Sequence, residues 1–382
     1  MKGVVHITEA FGGGVLSMLT QLSNQAAAAG IEVTVLYSLR GETPENFANL
    51  FHPTVSLIHV SMFREVSFKK DWVSLWELIK NLRRCNPAVV HLHSSKAGVL
   101  GRVAARIATP SAKVLYSPHG LSFLRRDVSP SSQLAYLTFE RMAERMGGTI
   151  VACSSSEFKE IKEKVHARDV ALIENGVNVA EIPLRRARDD GKVVIGMSGR
   201  ASFQKNHEAF ASLANMMHSP TVTFLWIGGN MAEVPDPRRN LAISCSGWVT
   251  RDRALELMSE LDIYVQTSRW EGMPLAVIEA QVAGIPAVVT DVVGNRDAVL
   301  HGVTGFVASS TEEMSKYVAI LRDDVQLRER MGAAARQSAS IRFSMDVIFR
   351  EWLAVYDLAV EKQLREAKDV NQVASCNVTR EF

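Results

Sequence analysis

Short, uninterrupted apolar segments alternate with helical stretches along this chain, and they do so in two successive series. The first comprises KGVVHIT, IEVTVLYS, PAVVHLHS, AKVLYSP, GTIVACS and DVALIENG; the second comprises KVVIGMSG, TVTFLWIGG, NLAISCSGWV, LDIYVQT and IPAVVTDV. A strand that is apolar at nearly every position has no solvent face, so it belongs in a parallel sheet covered by helices on both sides. Two such series predict an α/β protein of two doubly wound domains. In such sheets ligands bind in the crevice outside the carboxyl ends of the strands. Between the series, VNVAEIPLRRARDDG is polar, charged and contains Pro183, the composition of a linker. We therefore expect a first domain at 1–180 and a second at 190–343. Two helical stretches follow, the last running to about residue 367, and then a polar tail at 368–382.

Composition narrows the class of partner. A formal net charge of +2 over 382 residues gives no general attraction to polyanions, so nucleic-acid binding is not expected. Cys85, Cys153, Cys245 and Cys376 are scattered without metal-ligand spacing, which fits unpaired thiols in a reducing compartment. The opening MKGVVHITEA turns acidic too soon for a signal peptide, and no apolar run approaches the roughly 20 residues that span a bilayer. A cytoplasmic location is the expectation, with peripheral contact at the cytoplasmic face of the inner membrane left open.

Four loops that follow strands carry candidate chemistry. In EAFGGGVLS, glycines open a helix, where free backbone amides favour an anionic or polar ligand. The third glycine of a dinucleotide fingerprint is missing, and the next strand ends in Tyr37-Ser38 with no acidic residue, so NAD is disfavoured and a plain tight turn remains the alternative. In SPHG, His119 has the pKa and donor-acceptor character to meet a hydroxyl, or else serves the backbone structurally. His91 and His93 sit in the strand sequence HLH, but zinc needs three or four convergent ligands and the spacing supplies no others. In SGRASFQKN, Arg200 and Lys205 stand after a strand and before a helix, suited to gripping phosphate oxygens, with a solvated charged loop as the alternative.

The fourth loop, SRWEGMPLAVIEA, raises the sharpest question, because Glu271 and Glu279 lie in an otherwise apolar stretch where a buried carboxylate is costly unless satisfied. Pro274 suits the first helical turn, so amides near Gly272, Met273 and Leu275 would make a diphosphate site. Glu279 would accept both hydroxyls of a ribose, and Glu271 would reach a second hydroxyl cluster. Carboxylates flanking an anion site describe a nucleotide sugar, hydroxyl-rich at both ends and anionic in the middle.

The run GWVTRDRALELMSELDIYVQTSRWEGMPLAVIEAQVAGIPAVVTDVVGNRDAVLHGVTGFV resembles the signature of family 4 retaining glycosyltransferases of the GT-B fold. Its mark, glutamate, seven residues, glutamate, then A-x-x-x-G-x-P, is met by Glu271, Glu279, Ala280, Gly284 and Pro286. The Gly-Gly-Gly loop, P-H-G at 118–120, N-G-V at 175–177 and G-R…K-N at 199–206 stand in the expected order, although Asn178 replaces the aspartate often found after N-G-V. The resemblance implies two Rossmann-like domains facing a cleft, with the final helix (about 345–367) crossing back to the first. It implies that Glu279 holds the ribose, and that Arg200 and Lys205 neutralise the leaving diphosphate. Glu271 and the backbone from Gly272 through Met273 and Pro274 to Leu275 would meet sugar and phosphate. His119 would sit beside the donor sugar, and Gly13 and Gly14 would line the donor or acceptor approach. Glu271, His119, Arg200 and Lys205 are thus the expected catalytic set. The implied reaction moves a sugar from a UDP- or GDP-linked donor to a glycan or lipid-linked acceptor, with retention, in bacterial surface polysaccharide or lipopolysaccharide assembly. No D-x-D pair occurs, which fits catalysis without a metal or other cofactor. A nucleotide-sugar epimerase and a non-catalytic nucleotide-sugar sensor are the alternatives.

One segment stands outside this scheme. KKDWVSLWELIKNLRR places Trp72, Leu75, Trp76, Ile79 and Leu82 on one helical stripe, with Lys69, Lys70, Lys80, Arg83 and Arg84 towards its ends. Packing of that stripe on the sheet is the default expectation. A resting place at a lipid interface is the other reading.

Overall fold

The computed structural model describes residues 3–63, 67–188, 190–235 and 243–356. The tail expected at 368–382, and the end of the helix expected to reach 367, lie outside the described residues. Seven strands come first: β1 (Val4–Thr8), β2 (Val33–Tyr37), β3 (Ser56–His59), β4 (Val89–His93), β5 (Lys113–Ser117), β6 (Thr149–Ala152) and β7 (Val170–Leu172). Among them run α1 (Gly13–Ala28), α2 (Phe68–Cys85), α3 (Ser95–Ala108), α4 (Pro130–Glu144) and α5 (Ser155–Glu160). The second series is β8 (Val193–Ser198), β9 (Val222–Ile227), β10 (Ile243–Cys245), β11 (Ile263–Gln266), β12 (Ala287–Thr290) and β13 (Gly305–Ala308). Its helices are α6 (His207–Met216), α7 (Arg251–Met258), α8 (Leu275–Val282), α9 (Asn295–Ala298), α10 (Thr311–Asp323) and α11 (Val325–Arg342), and α12 (Met345–Tyr356) follows.

Each series makes one sheet. The orders are β3-β2-β1-β4-β5-β6-β7 and β10-β9-β8-β11-β12-β13, and β1 pairs parallel with β2 and β4, as β8 does with β9 and β11. In each sheet the order reverses once, between β1 and β4 and between β8 and β11, and such a reversal is where doubly wound sheets bind ligands. The described residues fall into two compact units: 3–117 with 143–151 and 348–356, and 118–142 with 152–347. Helix α12 therefore returns to the first unit from Ile348 onward, as the resemblance implied.

In the first unit the central strands are buried at every position, which is why they read as unbroken apolar runs. The polar exceptions are Thr8 and three histidines. His6 and His91 share a register position on the parallel pair β1 and β4, and His93 follows two residues on, so all three point to one face. Three possible ligand atoms lie within 4.8 Å of one another there, a convergence that HLH alone does not announce. Hydrogen bonds link the group, although His6 Nε2 is buried without a partner. His6 Nδ1 lies 3.0 Å from His93 Nε2, while His91 meets the Tyr356 hydroxyl at 3.0 Å and Ser117 Oγ at 2.9 Å. Trp352 also packs on the His91 ring, at 4.7 Å between centroids, so the cluster supports the returning helix.

His6 carries a cost at acid pH. Burial lowers its pKa to about 3, against 6.5 in the unfolded chain. Between those values the unfolded state binds more protons, so the stability is present above pH 6.5 and is lost as pH falls towards 3. At pH 5 the loss from this group alone is about 2 kcal/mol. The urea midpoint of the wild type should fall between pH 7 and pH 5, and His6→Gln should flatten that dependence. An equal fall in both proteins would remove His6 as its source.

The second unit buries Phe210, Phe224, Trp226, Ile195, Met197 and Val265 around its own sheet. This core fixes the carboxyl ends of β8 and β11 side by side.

Candidate active site

The loops that leave β8 and β11 flank the reversal point of the second sheet, and they are tied together. Thr267 Oγ1 donates to the carbonyls of Lys205 (2.8 Å) and Asn206 (3.1 Å), and the Arg269 amide donates to the Gln204 carbonyl at 2.8 Å. Arg269 also lies over the Phe203 ring at 3.8 Å and pairs with Glu208 at 2.7 Å. The ends of both strands are thus held as one platform.

Glu271 is the hub of that platform and is 7% exposed. Its Oε1 accepts from Lys205 Nζ (2.7 Å), Ser268 Oγ (2.7 Å) and Gln266 Nε2 (3.0 Å), and its Oε2 accepts from Gln204 Nε2 (3.2 Å). Behind it, the Tyr264 hydroxyl donates to Gln266 Oε1 at 2.8 Å, which fixes the amide so that its NH₂ faces Glu271. Burial raises the Tyr264 phenol far above its ordinary range, so it stays a neutral donor. The carboxylate question raised by the sequence is answered for Glu271: it is buried because four donors satisfy it.

Pro274 precedes α8 as its cap residue, one position earlier than the first helical turn expected for it, and Leu275 opens the helix. Glu279, on the fifth residue of α8 and 7% exposed, accepts from Arg251 Nη1 at the start of α7. Arg251 was not signalled by any motif. Burial works against its charge, the pairing with Glu279 outweighs that, and the net shift of its pKa is upward. Its other terminal nitrogen, Nη2, is buried without a hydrogen-bond partner. A buried donor left over beside a buried carboxylate is the kind of vacancy a polar ligand completes.

The P-H-G loop belongs to the same unit. His119 has φ +56° and Gly120 φ +105°, and the Gly120 amide donates to Glu157 Oε1 at 3.0 Å. Glu157 is fully buried and also accepts from the Cys153 amide at 2.8 Å and the Cys153 thiol at 3.0 Å. Burial raises both groups, the Cys153 thiol markedly and the Glu157 carboxyl less so. Burial lowers His119 to about 4, so its imidazole is neutral at physiological pH and any hydrogen bond it makes is that of a neutral ring.

Close approach of backbones explains Gly272. A Cβ there would stand 2.7 Å from the Gly120 nitrogen and 3.0 Å from Cys153 Sγ, so any side chain would push the P-H-G loop away from Glu271. The Met273 carbonyl accepts from Asn175 Nδ2 at 2.9 Å, which gives N-G-V a role in bracing this loop. Asn178, the departure from the motif, caps a short turn by accepting from the Ala180 amide at 3.2 Å.

His119, Arg200, Lys205, Glu271, Gly272, Met273, Pro274, Leu275 and Glu279 therefore all lie in the second unit, on loops that follow strands or within α8. Arg200 is exposed and stands two residues after the end of β8. Gly13 and Gly14 belong to the first unit, exposed at the start of α1, where Gly13 has φ +52°, a conformation glycine adopts without strain. The second unit thus offers cations, the amides of a helix start, a neutral imidazole and two braced carboxylates around one reversal point.

Comparison with known proteins agrees with this inventory. The model of the glycosyl transferases group 1 matches residues 179–338, and that of glycosyltransferase family 4 matches residues 12–181. The UDP-Gal:alpha-D-GlcNAc-diphosphoundecaprenol alpha-1,3-galactosyltransferase of Escherichia coli is 30% identical, over 69% of this chain and 73% of its own length. The capsular polysaccharide biosynthesis glycosyltransferase CapM of Staphylococcus aureus is 23% identical, over 78% of this chain and 84% of its own. Among solved structures, sucrose-phosphate synthase of Thermosynechococcus elongatus superposes with a TM-score of 0.79 at 17% identity, over 96% of this chain and all (100%) of that one. HepE of Anabaena in complex with UDP and glucose follows at 0.76 and 18% identity, over 94% of this chain and 100% of that one. The chain is a glycosyltransferase that belongs to family 4, group 1, with the two Rossmann-like domains of the GT-B fold.

Proposed function

We propose that this enzyme transfers a sugar from a nucleotide diphosphate donor to a lipid-linked glycan, with retention and without a metal, in the assembly of a bacterial surface polysaccharide. The observation that carries the donor class is the pair of buried carboxylates, Glu271 and Glu279, each held by a cation on either side of the α8 amides. The acceptor class rests on relatives, since the E. coli enzyme and one from Campylobacter jejuni, 29% identical over 45% of this chain and 46% of its own, are both named for diphosphoundecaprenol-linked acceptors.

In the reaction, the acceptor hydroxyl attacks the anomeric carbon on the face from which the diphosphate departs. The bond from that carbon to the phosphate oxygen breaks, the acceptor proton passes to that oxygen, and a nucleoside diphosphate leaves. Lys205 and Arg200 neutralise the charge that grows on the leaving group, and the first amides of α8 share it. Glu271 holds Lys205 in place, and its Oε2, which accepts from Gln204 Nε2, retains capacity for a sugar hydroxyl. His119 meets the sugar as a neutral partner. Glu279 takes the ribose, with Arg251 orienting its carboxylate.

A panel of UDP- and GDP-linked sugars tests the donor class through slow hydrolysis and through protection against heat. One donor should stand out, and its turnover should be unchanged in EDTA. Turnover that needs added Mg²⁺ or Mn²⁺ would overturn the metal-free part, and conversion of a donor into an isomer without acceptor would favour the epimerase. Among the described residues no helix is long and apolar enough to cross a membrane. We place the enzyme in the cytoplasm, working at the inner face of the membrane that carries its acceptor.

A further inference from the structure

Helix α2 buries only the C-terminal part of the stripe its sequence suggests, Ile79 and Leu82. Ser74, Leu78, Ile79 and Leu82 face the protein, and the Ser74 hydroxyl donates to the Ser61 carbonyl at 2.5 Å, which locks the rotation. Trp72 and Trp76, expected in the packed stripe, are instead 61% and 51% exposed, with Val73 at 56% and Phe68 at 92%. The two indoles meet edge to face at 6.0 Å. Lys69, Lys70, Lys80, Arg83 and Arg84 are all exposed on the same helix. Neither acidic residue of α2 is exposed: Glu77 is half-buried, and Asp71 pairs with Lys96 at 2.6 Å.

We propose that this outer face of α2 docks the first unit onto an anionic lipid surface. Charge and shape act together on this face. Large aromatic side chains held in water are costly for a monomer surface, and adjacent tryptophans beside lysine and arginine suit the headgroup region, where an amphipathic ring has an apolar side and a polar side. A purely polyanionic partner would leave Phe68, Trp72, Val73 and Trp76 unused, while a purely apolar one would strand five cations. The proposal deepens the reading of a lipid-linked acceptor and rests on it for its purpose, but vesicle binding is measured without donor or acceptor. A failed donor assay and a failed docking assay are therefore separate results.

The full-length protein is co-sedimented with vesicles of phosphatidylcholine alone and of phosphatidylcholine with phosphatidylglycerol, at low and high salt. Binding should require phosphatidylglycerol and weaken at high salt. The quadruple variant Lys69→Ser, Lys70→Ser, Arg83→Ser, Arg84→Ser should lose roughly a hundredfold or more in partitioning. Trp72→Ser with Trp76→Ser should lose on the order of tenfold or more and abolish the blue shift of tryptophan fluorescence on binding. All six side chains are on the exposed face, so donor hydrolysis should be unchanged in both variants. No binding to anionic vesicles at low salt would overturn the proposal. So would binding that both variants retain, or a self-association in sedimentation velocity that the tryptophan variant removes while vesicles leave it unchanged.

Discussion

Lys205→Ala is expected to lower kcat by a factor of about 10²–10³, in line with loss of one group aimed at developing charge. The Lys205 ammonium sits 2.7 Å from Glu271, on the loop between β8 and α6, partly shielded, and its charge matters most when the diphosphate leaves. KM for the donor should change much less than kcat, because an interaction made in the transition state does not appear in ground-state binding. Arg200→Ala should show the same pattern. The fold should survive, since Glu271 keeps Ser268, Gln266 and Gln204 as donors after Lys205 is removed. Glu271→Ala should also reduce turnover, by releasing Lys205, while binding of free UDP or GDP is largely retained. Steady-state kinetics in EDTA with a melting curve for each variant decide this; an unchanged kcat for Lys205→Ala would remove it from the chemistry.

Glu279→Ala should act on binding instead. A hydrogen bond to a charged group contributes about 1.5–3 kcal/mol, so loss of the ribose acceptor should weaken nucleotide affinity by roughly one to two orders of magnitude. The structure adds a second effect that the sequence did not show. Removing Glu279 leaves Arg251 as a half-exposed cation with its partner gone and Nη2 already unsatisfied. The variant should therefore melt lower as well, by less than the about 3–5 kcal/mol of a fully buried broken pair. Arg251→Ala separates the two effects: Glu279 remains and is misoriented, so affinity should fall less than in Glu279→Ala. Calorimetry with UDP and GDP reads this directly, and an unchanged dissociation constant for Glu279→Ala would exclude the ribose role.

What could be read from the sequence was local. Strands such as VVHIT and IYVQ are apolar because both faces are covered, and that pattern is visible in any few residues. The two glutamates, the glycines and the Arg200–Lys205 loop lie on the strand-to-helix turns of such a sheet, so their placement followed from the fold class. What could not be read was long-range. Arg251 meets Glu279 across 28 positions, Glu157 meets Gly120 across 37, and Asn175 meets Met273 across 98, none of them at a spacing that a motif records. His6 reaches His93 across 87 positions only because β1 and β4 are parallel neighbours in register. The face that α2 buries is only partly legible: Ile79 and Leu82 of the stripe pack inward together with Leu78, while Trp72 and Trp76 turn outward. Apolar periodicity reports that a helix has an apolar side, and hydrogen bonds such as that of Ser74 decide which side packs.

The central claim is that the second unit binds a nucleotide sugar and transfers the sugar with retention, using its own cations. The most direct test follows the anomeric proton by NMR as the preferred donor of the panel reacts with a diphospholipid-linked acceptor in EDTA. The account predicts a product with the same anomeric configuration as the donor, formed by the wild type and lost with Lys205→Ala. A product of inverted configuration, or no transfer from any nucleotide sugar that binds, would contradict it.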